Sequence, residues 1–273
     1  MRLCAWLIAA LATALAAGCG RSPDDPGPQI AVSTSYLETV VRDLLGPETE
    51  VVRLSGPGTC PGHFDITPAH VARLKRCRVL LRLDFQRPID AKLQSAVEEG
   101  LRIVEVPEVG NLCEPATYLS ACRAAADALV AADFLSQPAA DARLTEIDGR
   151  LAALGEAVRT DVRDGGLEGV PVVAAHHQSR FCAWLGLDVA AEFPASDAPA
   201  ALTGVLAAGR ERGVRLVIGN VPQGRAVADR LAEALDATVV MVENFPPPGA
   251  DGDGFDAMVR GNVKRLLAAL GQP

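Results

Sequence analysis

Aromatic residues and basic segments are scarce in this sequence. Aromatic side chains make up 4% of the 273 residues, which is too few for an obvious pocket that stacks an organic ligand. The formal net charge is −8 and no run of five basic residues occurs, so nucleic acid is not an expected partner. A His-Glu-x-x-His motif is also missing, which excludes that zinc-protease signature.

A long hydrophobic run is missing except at the start of the chain. There, a short basic start precedes an apolar stretch over residues 3–17, which is too short for a stable membrane span. This pattern predicts a secretory signal peptide over 1–18. The small residues before Cys19 resemble a bacterial lipobox, in which the new N-terminal cysteine is acylated, and 19–28 then form a lipidated tether rich in proline and glycine. Plain secretion with a chance cysteine is the alternative.

Cysteine occurs in an odd number beyond this tether. The later cysteines are Cys60, Cys77, Cys113, Cys122 and Cys182. An exported protein meets an oxidising compartment, where an odd count leaves at least one thiol unpaired or bound to another group.

Apolar segments of two lengths alternate along the rest of the chain. Short runs predict strands at 30–32, 51–54, 79–83, 103–106, 170–174, 216–218 and 238–242. Segments with helical spacing predict helices at 36–45, 67–74, 88–99, 179–185, 202–212, 224–235 and 255–270. Alternating strands and helices imply parallel sheets covered by crossover helices.

The middle of the chain has helical character and little strand character. Helices are predicted at 118–130 and 139–164, and the second would be about 38 Å long. Its apolar stripe consists of Leu144, Ile147, Leu151, Leu154 and Val158. The expected fold is α/β, with lobes at 29–134 and 167–273, each a mainly parallel sheet with flanking helices, joined by a long linking helix within 135–166. Because ligands of open α/β sheets bind at the carboxyl ends of the strands, the site is expected in the cleft between the lobes.

Residue types that ligate metals follow several of these strands. His63 follows a first-lobe strand, and His176 and His177 follow a second-lobe strand. Glu243 follows the last strand, and Cys113 lies in the loop after the last strand of the first lobe. Imidazole, carboxylate and thiolate donors suit a divalent transition metal. The sequence therefore predicts a metal site in the interlobe cleft.

Four segments resemble a known family. "LSGPGTCPGHFDITPAHVARLKRCRVLLRLDF" and "VVAAHHQSRFCAWLGLDV" are similar to first- and second-lobe segments of the cluster A-I solute-binding proteins of bacterial metal ABC transporters, which bind zinc or manganese. "VRLVIGN" and "VVMVENFP" resemble their closing strands. The resemblance implies metal ligation by His63, by Glu243 and by one of the pair His176 and His177. Of that pair, His177 is favoured because it leaves His176 nearer the strand.

One loop departs from the family pattern. Where the family often has a Pro-His-x-Trp-type loop with a further histidine, residues 110–115 read GNLCEP. The resemblance therefore places Cys113 where that histidine would be, while Cys60 shares the loop of His63. The two cysteines either ligate the metal as thiolates or form a disulfide, and the oxidising compartment favours the disulfide.

The resemblance implies an extracytoplasmic lipoprotein, anchored on the periplasmic side of the cell membrane, that captures a divalent metal ion and delivers it to an ABC permease. Zinc is expected, with manganese or another divalent transition metal as the alternative, in a monomer without enzymatic activity. Two other functions stay open. A metal-dependent hydrolase would use Glu243 or Asp65 as its base, and a binding protein of another kind would hold a metal chelate or a small organic ligand.

Overall fold

The computed structural model describes residues 29–56, 64–195, 199–247 and 254–271. The strands in these ranges are β1 (Ile30–Val32), β2 (Val51–Arg53), β3 (Val79–Leu83), β4 (Arg102–Val106), β5 (Pro171–Ala175), β6 (Asp188–Phe193), β7 (Leu216–Asn220) and β8 (Thr238–Val242). The α-helices are α1 (Ser35–Leu45), α2 (Pro68–Leu74), α3 (Gln94–Glu98), α4 (Pro115–Val130), α5 (Gln137–Asp164), α6 (His176–Trp184), α7 (Pro199–Glu211), α8 (Ala226–Leu235) and α9 (Gly254–Leu270). Cys19, Cys60 and His63 lie outside the described residues, as do the predicted signal peptide and tether. No helix in the described ranges is long and apolar enough to cross a membrane.

The described strands form two four-stranded sheets with equivalent arrangements. The strand order is β2-β1-β3-β4 in the first sheet and β6-β5-β7-β8 in the second. Every pair of neighbouring strands is parallel, as expected for strands joined by crossover helices. The predicted two-lobe α/β fold is confirmed, with α5 linking the lobes. In each sheet the chain steps first to one side of the leading strand and then to the other, and such a switch opens a crevice at the carboxyl ends of the strands.

Hydroxyl side chains cap the first two helices of the first lobe. Thr34 Oγ1 accepts a hydrogen bond from the main-chain nitrogen of Leu37 at 3.3 Å, at the start of α1. At the start of α2, Thr67 Oγ1 accepts from the main-chain nitrogen of His70 at 3.2 Å, and His70 Nδ1 accepts from the main-chain nitrogen of Thr67 at 3.3 Å. Pro68 occupies the first helical turn, where its missing N–H costs nothing. His70 therefore has a structural role as a capping residue.

The start of the second lobe differs from the sequence prediction in two ways. Helix α6 begins at His176, three residues before the predicted start, so His176 and His177 form its first turn. Strand β6 was not predicted, because its sequence DVAAEF lacks a strong apolar run. It lies at the edge of its sheet and most of its residues are half-exposed, so strongly apolar side chains are not required there.

The predicted helix at 88–99 is divided in the structure. A 3-10 helix spans Asp84–Lys92, and α3 follows after Leu93. The division falls at Leu93, whose backbone (φ −108°, ψ 4°) departs from the α-helical conformation.

Helix α5 joins the two lobes through a common core. It buries the predicted apolar stripe and packs against α1, α4 and α9. One core cluster contains Val32 and Leu81 from the first sheet together with Val172 and Ile218 from the second. The lobes therefore share buried apolar surface on the side of α5, which restricts their relative movement.

A buried ion pair lies at the junction of the same helices. Asp43 on α1 is 8% exposed and accepts a hydrogen bond from Tyr118 Oη on α4 at 2.7 Å. Arg150 on α5 pairs with Asp43 and approaches Asp256 on α9 at 3.5 Å. Four helices thus meet at one charged cluster that bridges the lobes.

Candidate functional site

The carboxyl ends of the second-lobe strands are tied together by one buried amide. Gln178 in the first turn of α6 is fully buried, and its Nε2 donates to Asn220 Oδ1 at 3.1 Å and to Asn244 Oδ1. Asn220 ends β7 and Asn244 lies just after β8. This network fixes the first turn of α6 against the ends of both neighbouring strands. The sequence analysis did not predict this network, although amide residues at the ends of apolar strands could have indicated it.

The loop after β4 in the first lobe reaches the same rim. Asn111 Nδ2 donates a hydrogen bond to the main-chain carbonyl of His177, and Asn111 Oδ1 accepts from the main-chain nitrogen of Cys113 at 2.8 Å. Asn111 is 5% exposed. The two lobes are therefore in direct polar contact beside the histidine pair.

Cys113 is a buried thiol in this contact. Its side chain is 0% exposed, and its Sγ donates to the main-chain carbonyl of Glu243 at 3.1 Å, while Asn262 Nδ2 lies 3.7 Å from the sulfur. Burial raises the pKa of the Cys113 thiol well above its ordinary value, so the protonated form is favoured. Cys60 lies outside the described residues, so metal ligation and a disulfide between the two cysteines both stay predictions.

The main chain of Glu243 is held on both sides by one amide of α9. Asn262 is fully buried, its Oδ1 accepts from the Glu243 main-chain nitrogen at 3.0 Å, and its Nδ2 donates to the Glu243 carbonyl at 2.9 Å. The Glu243 residue itself is half-exposed. The main chain of Glu243 is thus fixed where the lobes meet.

The histidine pair is exposed at this rim. The ring centroids of His176 and His177 are 5.6 Å apart. His176 Nδ1 lies 2.8 Å from Glu192 Oε2 on β6. Partial burial, followed by the neighbouring His176, lowers the pKa of His177 and favours the neutral imidazole, which is the form that ligates metals.

The described residues bring together the segments that carry part of the predicted ligand set. The loop of Cys113, the first turn of α6 and the end of β8 meet within hydrogen-bonding distance. Among the described residues, no three histidine, cysteine, aspartate or glutamate side chains lie close enough together to hold a metal ion. His63 and Cys60 belong to the segment 57–63, outside the described residues, so their positions relative to this rim are untested.

Asp65, the other carboxylate considered as a base, is engaged elsewhere. It is exposed and forms an ion pair with Lys92. That hydrogen bond and charge lower the pKa of Asp65, which makes it a weaker base.

Known proteins resemble this chain in sequence profile and in fold. The profile of the family described as zinc-uptake complex component A, periplasmic (ZnuA), matches residues 30–269. The crystal structure of ZnuA is similar with a TM-score of 0.71 and 15% identity, over 88% of this chain and 98% of that chain. A zinc-bound deletion mutant of ZnuA gives 0.71 and 16%, over 89% and 98% of the two chains. The Mn-bound periplasmic metal binding protein from Candidatus Liberibacter asiaticus gives 0.72 and 12%, over 88% and 98%.

No curated protein matches the sequence at a significant level. The family profile nevertheless spans nearly all of the described chain, and the solved structures share its two-lobe fold. The protein therefore belongs to the family of periplasmic zinc-uptake component A, the cluster A-I metal-binding solute-binding proteins, as its sequence resemblance indicated.

Proposed function

We propose that this protein captures a divalent transition metal ion, zinc in the first place, and delivers it to an ABC permease. The observation that carries this proposal is that the loop of Cys113 contacts the main chain of His177 and of Glu243 at the junction of two parallel sheets, in a chain of this family. Solved relatives of the same fold are described as zinc-bound and Mn-bound, which supports a divalent metal as the cargo.

The proposed ligands come from both lobes. His63 is the first-lobe ligand, and Glu243 with one residue of the pair His176 and His177 is the second-lobe set. Neutral imidazoles and one carboxylate suit zinc, and the carboxylate oxygen also suits manganese. Cys113 would have to lose its proton in order to ligate the ion, which its burial opposes.

The polar contacts around the rim support such a site because they fix the main chain beside the proposed second-lobe ligands. Asn262 fixes the main chain of Glu243, and Gln178 fixes the start of α6. The common core along α5 limits how far the lobes can separate. We therefore propose a site that changes shape little between its free and bound states.

The proposed location is the periplasmic side of the membrane, with the signal peptide 1–18 removed and Cys19 lipidated. The family is described as periplasmic, which supports export. Residues 19–28 would act as the tether, and the folded lobes 29–134 and 167–273 would work as a monomer beside the permease.

The proposal includes no chemical reaction. The hydrolase alternative is weakened because Asp65 is paired with Lys92 and its pKa is lowered. Elemental analysis of protein purified without chelator, beside a panel of hydrolase substrates, tests the proposal. Bound zinc or manganese without turnover is expected, and metal-dependent turnover of a substrate would contradict it.

A further inference from the structure

We propose that Glu192 is a positioning residue that orients His176 as the second-lobe metal ligand. This inference rests on the proposed function, and it chooses between the two adjacent histidines. It also names an acidic residue on β6, a strand that sequence reasoning did not predict.

Glu192 is bound to the first turn of α6 through both carboxylate oxygens. His176 Nδ1 lies 2.8 Å from Glu192 Oε2, and Ser179 Oγ donates to Glu192 Oε1 at 2.6 Å. Ser179 is 5% exposed and lies three residues after His176, so both contacts come from the same face of the helix. The carboxylate is therefore fixed by a buried group as well as by the imidazole, which distinguishes this pair from a freely moving surface ion pair.

The sheet supplies the rigid frame for this contact. Glu192 lies on β6, which pairs with β5 through Ala174. Strand β5 runs directly into α6, so His176 is the residue at which the strand becomes the helix. The spacing between the imidazole and the carboxylate is thus set by neighbouring strands of one sheet.

The chemistry of the contact leaves one nitrogen free for a metal. Ser179 Oγ donates to one oxygen of the Glu192 carboxylate and His176 Nδ1 lies 2.8 Å from the other, so the carboxylate acts as the acceptor in both contacts. A carboxylate acceptor requires the proton on His176 Nδ1, which leaves the Nε2 lone pair free in the neutral ring. Metal-ligating histidines usually have this arrangement, and loss of the carboxylate typically costs about 10–100-fold in affinity.

His177 has a different environment. Its main-chain carbonyl accepts a hydrogen bond from Asn111, so its backbone takes part in the contact between the lobes. Its ring lies beside the ring of His176, with 5.6 Å between the two ring centroids. These contacts give His177 a role in packing at the rim, whereas the sequence alone had favoured it as the ligand.

The first test is the tautomer of His176 in metal-free, full-length mature protein. Nitrogen-15 NMR of labelled histidine separates the two ring nitrogens, and single His→Ala variants assign the four histidines of the chain. We expect the proton on Nδ1 in the wild type and a shift towards the Nε2-protonated form in Glu192→Ala. Glu192→Gln should restore the Nδ1 proton in part, because its amide oxygen can still accept. An unchanged tautomer in Glu192→Ala would overturn the positioning role.

The second test is titration with Zn²⁺ and, separately, Mn²⁺. We expect His176→Ala and Glu192→Ala to weaken binding about tenfold or more, and His177→Ala to change it less than about threefold. Asp188→Ala is the matched control, since it removes a negative charge from the same strand at a residue paired with Arg212. It should bind within about twofold of the wild type.

The two proposals fail in different ways. A wild type that binds neither ion overturns the proposed function and the ligand role of His176. A wild type that binds normally, together with His176→Ala and Glu192→Ala variants that bind equally well, overturns this inference and leaves the proposed function standing.

Discussion

The thiol of Cys113 donates a hydrogen bond to the main-chain carbonyl of Glu243, with the sulfur 3.1 Å from the oxygen. The thiol belongs to the first-lobe loop and the carbonyl to the end of the last strand of the second lobe. A contact between residues this distant in the sequence fixes how the two lobes meet at the proposed site. The Cys113 side chain is fully buried, and its loss would leave the carbonyl with fewer donors beside Asn262 Nδ2.

Cys113 is expected to be a free thiol in the folded protein. Its burial and its hydrogen bond to a carbonyl favour the protonated form, which reacts slowly with alkylating agents. Mass spectrometry of metal-free, unreduced protein should find Cys113 unmodified after native alkylation and modified after alkylation in urea. The disulfide with Cys60 expected from the sequence would appear as a linked peptide and would contradict this prediction.

Arg150 is expected to stabilise the junction of the lobes. Arg150→Met removes the ion-pair partner of the buried Asp43 carboxylate and leaves the hydrogen bond from Tyr118, at a cost of about 3 kcal/mol in the free energy of unfolding. Urea denaturation measures this change. Arg143→Met on the same helix is the control, because Arg143 pairs with Glu146 at the surface. This substitution should change the free energy of unfolding by less than about 0.5 kcal/mol. Equal effects of the two substitutions would argue against the buried cluster.

Glu108 is expected to make stability depend on pH. Burial, followed by the nearby Asp84, raises the pKa of Glu108 from 4.5 to about 7. Between these values the folded state holds a proton that the unfolded state has released. The group's contribution to stability is therefore present below about pH 4.5 and is lost as the pH rises through about 7.

Replacement of Glu108 by glutamine should remove this dependence. At pH 8 the variant is expected to be about 1–2 kcal/mol more stable than the wild type, a value reduced for the partial contact of this carboxyl with water. Denaturation midpoints of both proteins at pH 5 and pH 8 measure it. Parallel pH profiles for the two proteins would show that Glu108 titrates normally.

Cys19 is expected to attach the protein to the membrane. Cys19→Ser removes the acceptor for the lipid, so the protein should leave the membrane fraction and appear in the soluble periplasmic fraction. Cell fractionation with immunoblotting measures the distribution. Cys122→Ser, at a buried position in the folded lobes, is the control and should stay with the membranes. A Cys19→Ser protein that also stays there would contradict lipidation.

Much of the fold could be predicted from hydrophobic periodicity. Strands β3 and β8 match their predicted ranges, and four of the five residues in the predicted stripe on α5 are buried. Strand β6 could not be predicted, because an edge strand with half-exposed side chains has a weak apolar pattern. The division at Leu93 could not be predicted, because no glycine or proline occurs between residues 89 and 98.

The site was predictable to the level of which loops meet. Parallel strands bring their carboxyl ends to one edge, which places Cys113 beside Glu243 and Asn111 beside His177 in the structure. The contact of His176 with Glu192 could not be foreseen, since it requires β6 to lie next to β5. No sequence spacing predicts the amide network around Gln178, because its members come together only in the folded structure.

Metal binding by the whole chain is the most direct test of the central claim. Calorimetric titration of chelator-treated mature protein with Zn²⁺ should give a stoichiometry of one ion per chain, and His63→Ala and Glu243→Ala should each weaken binding by more than about tenfold, or ~1.4 kcal/mol. Such losses from both lobes would show that a single ion is shared between them. Wild-type protein that binds no Zn²⁺, or tight binding that survives both substitutions, would contradict the account.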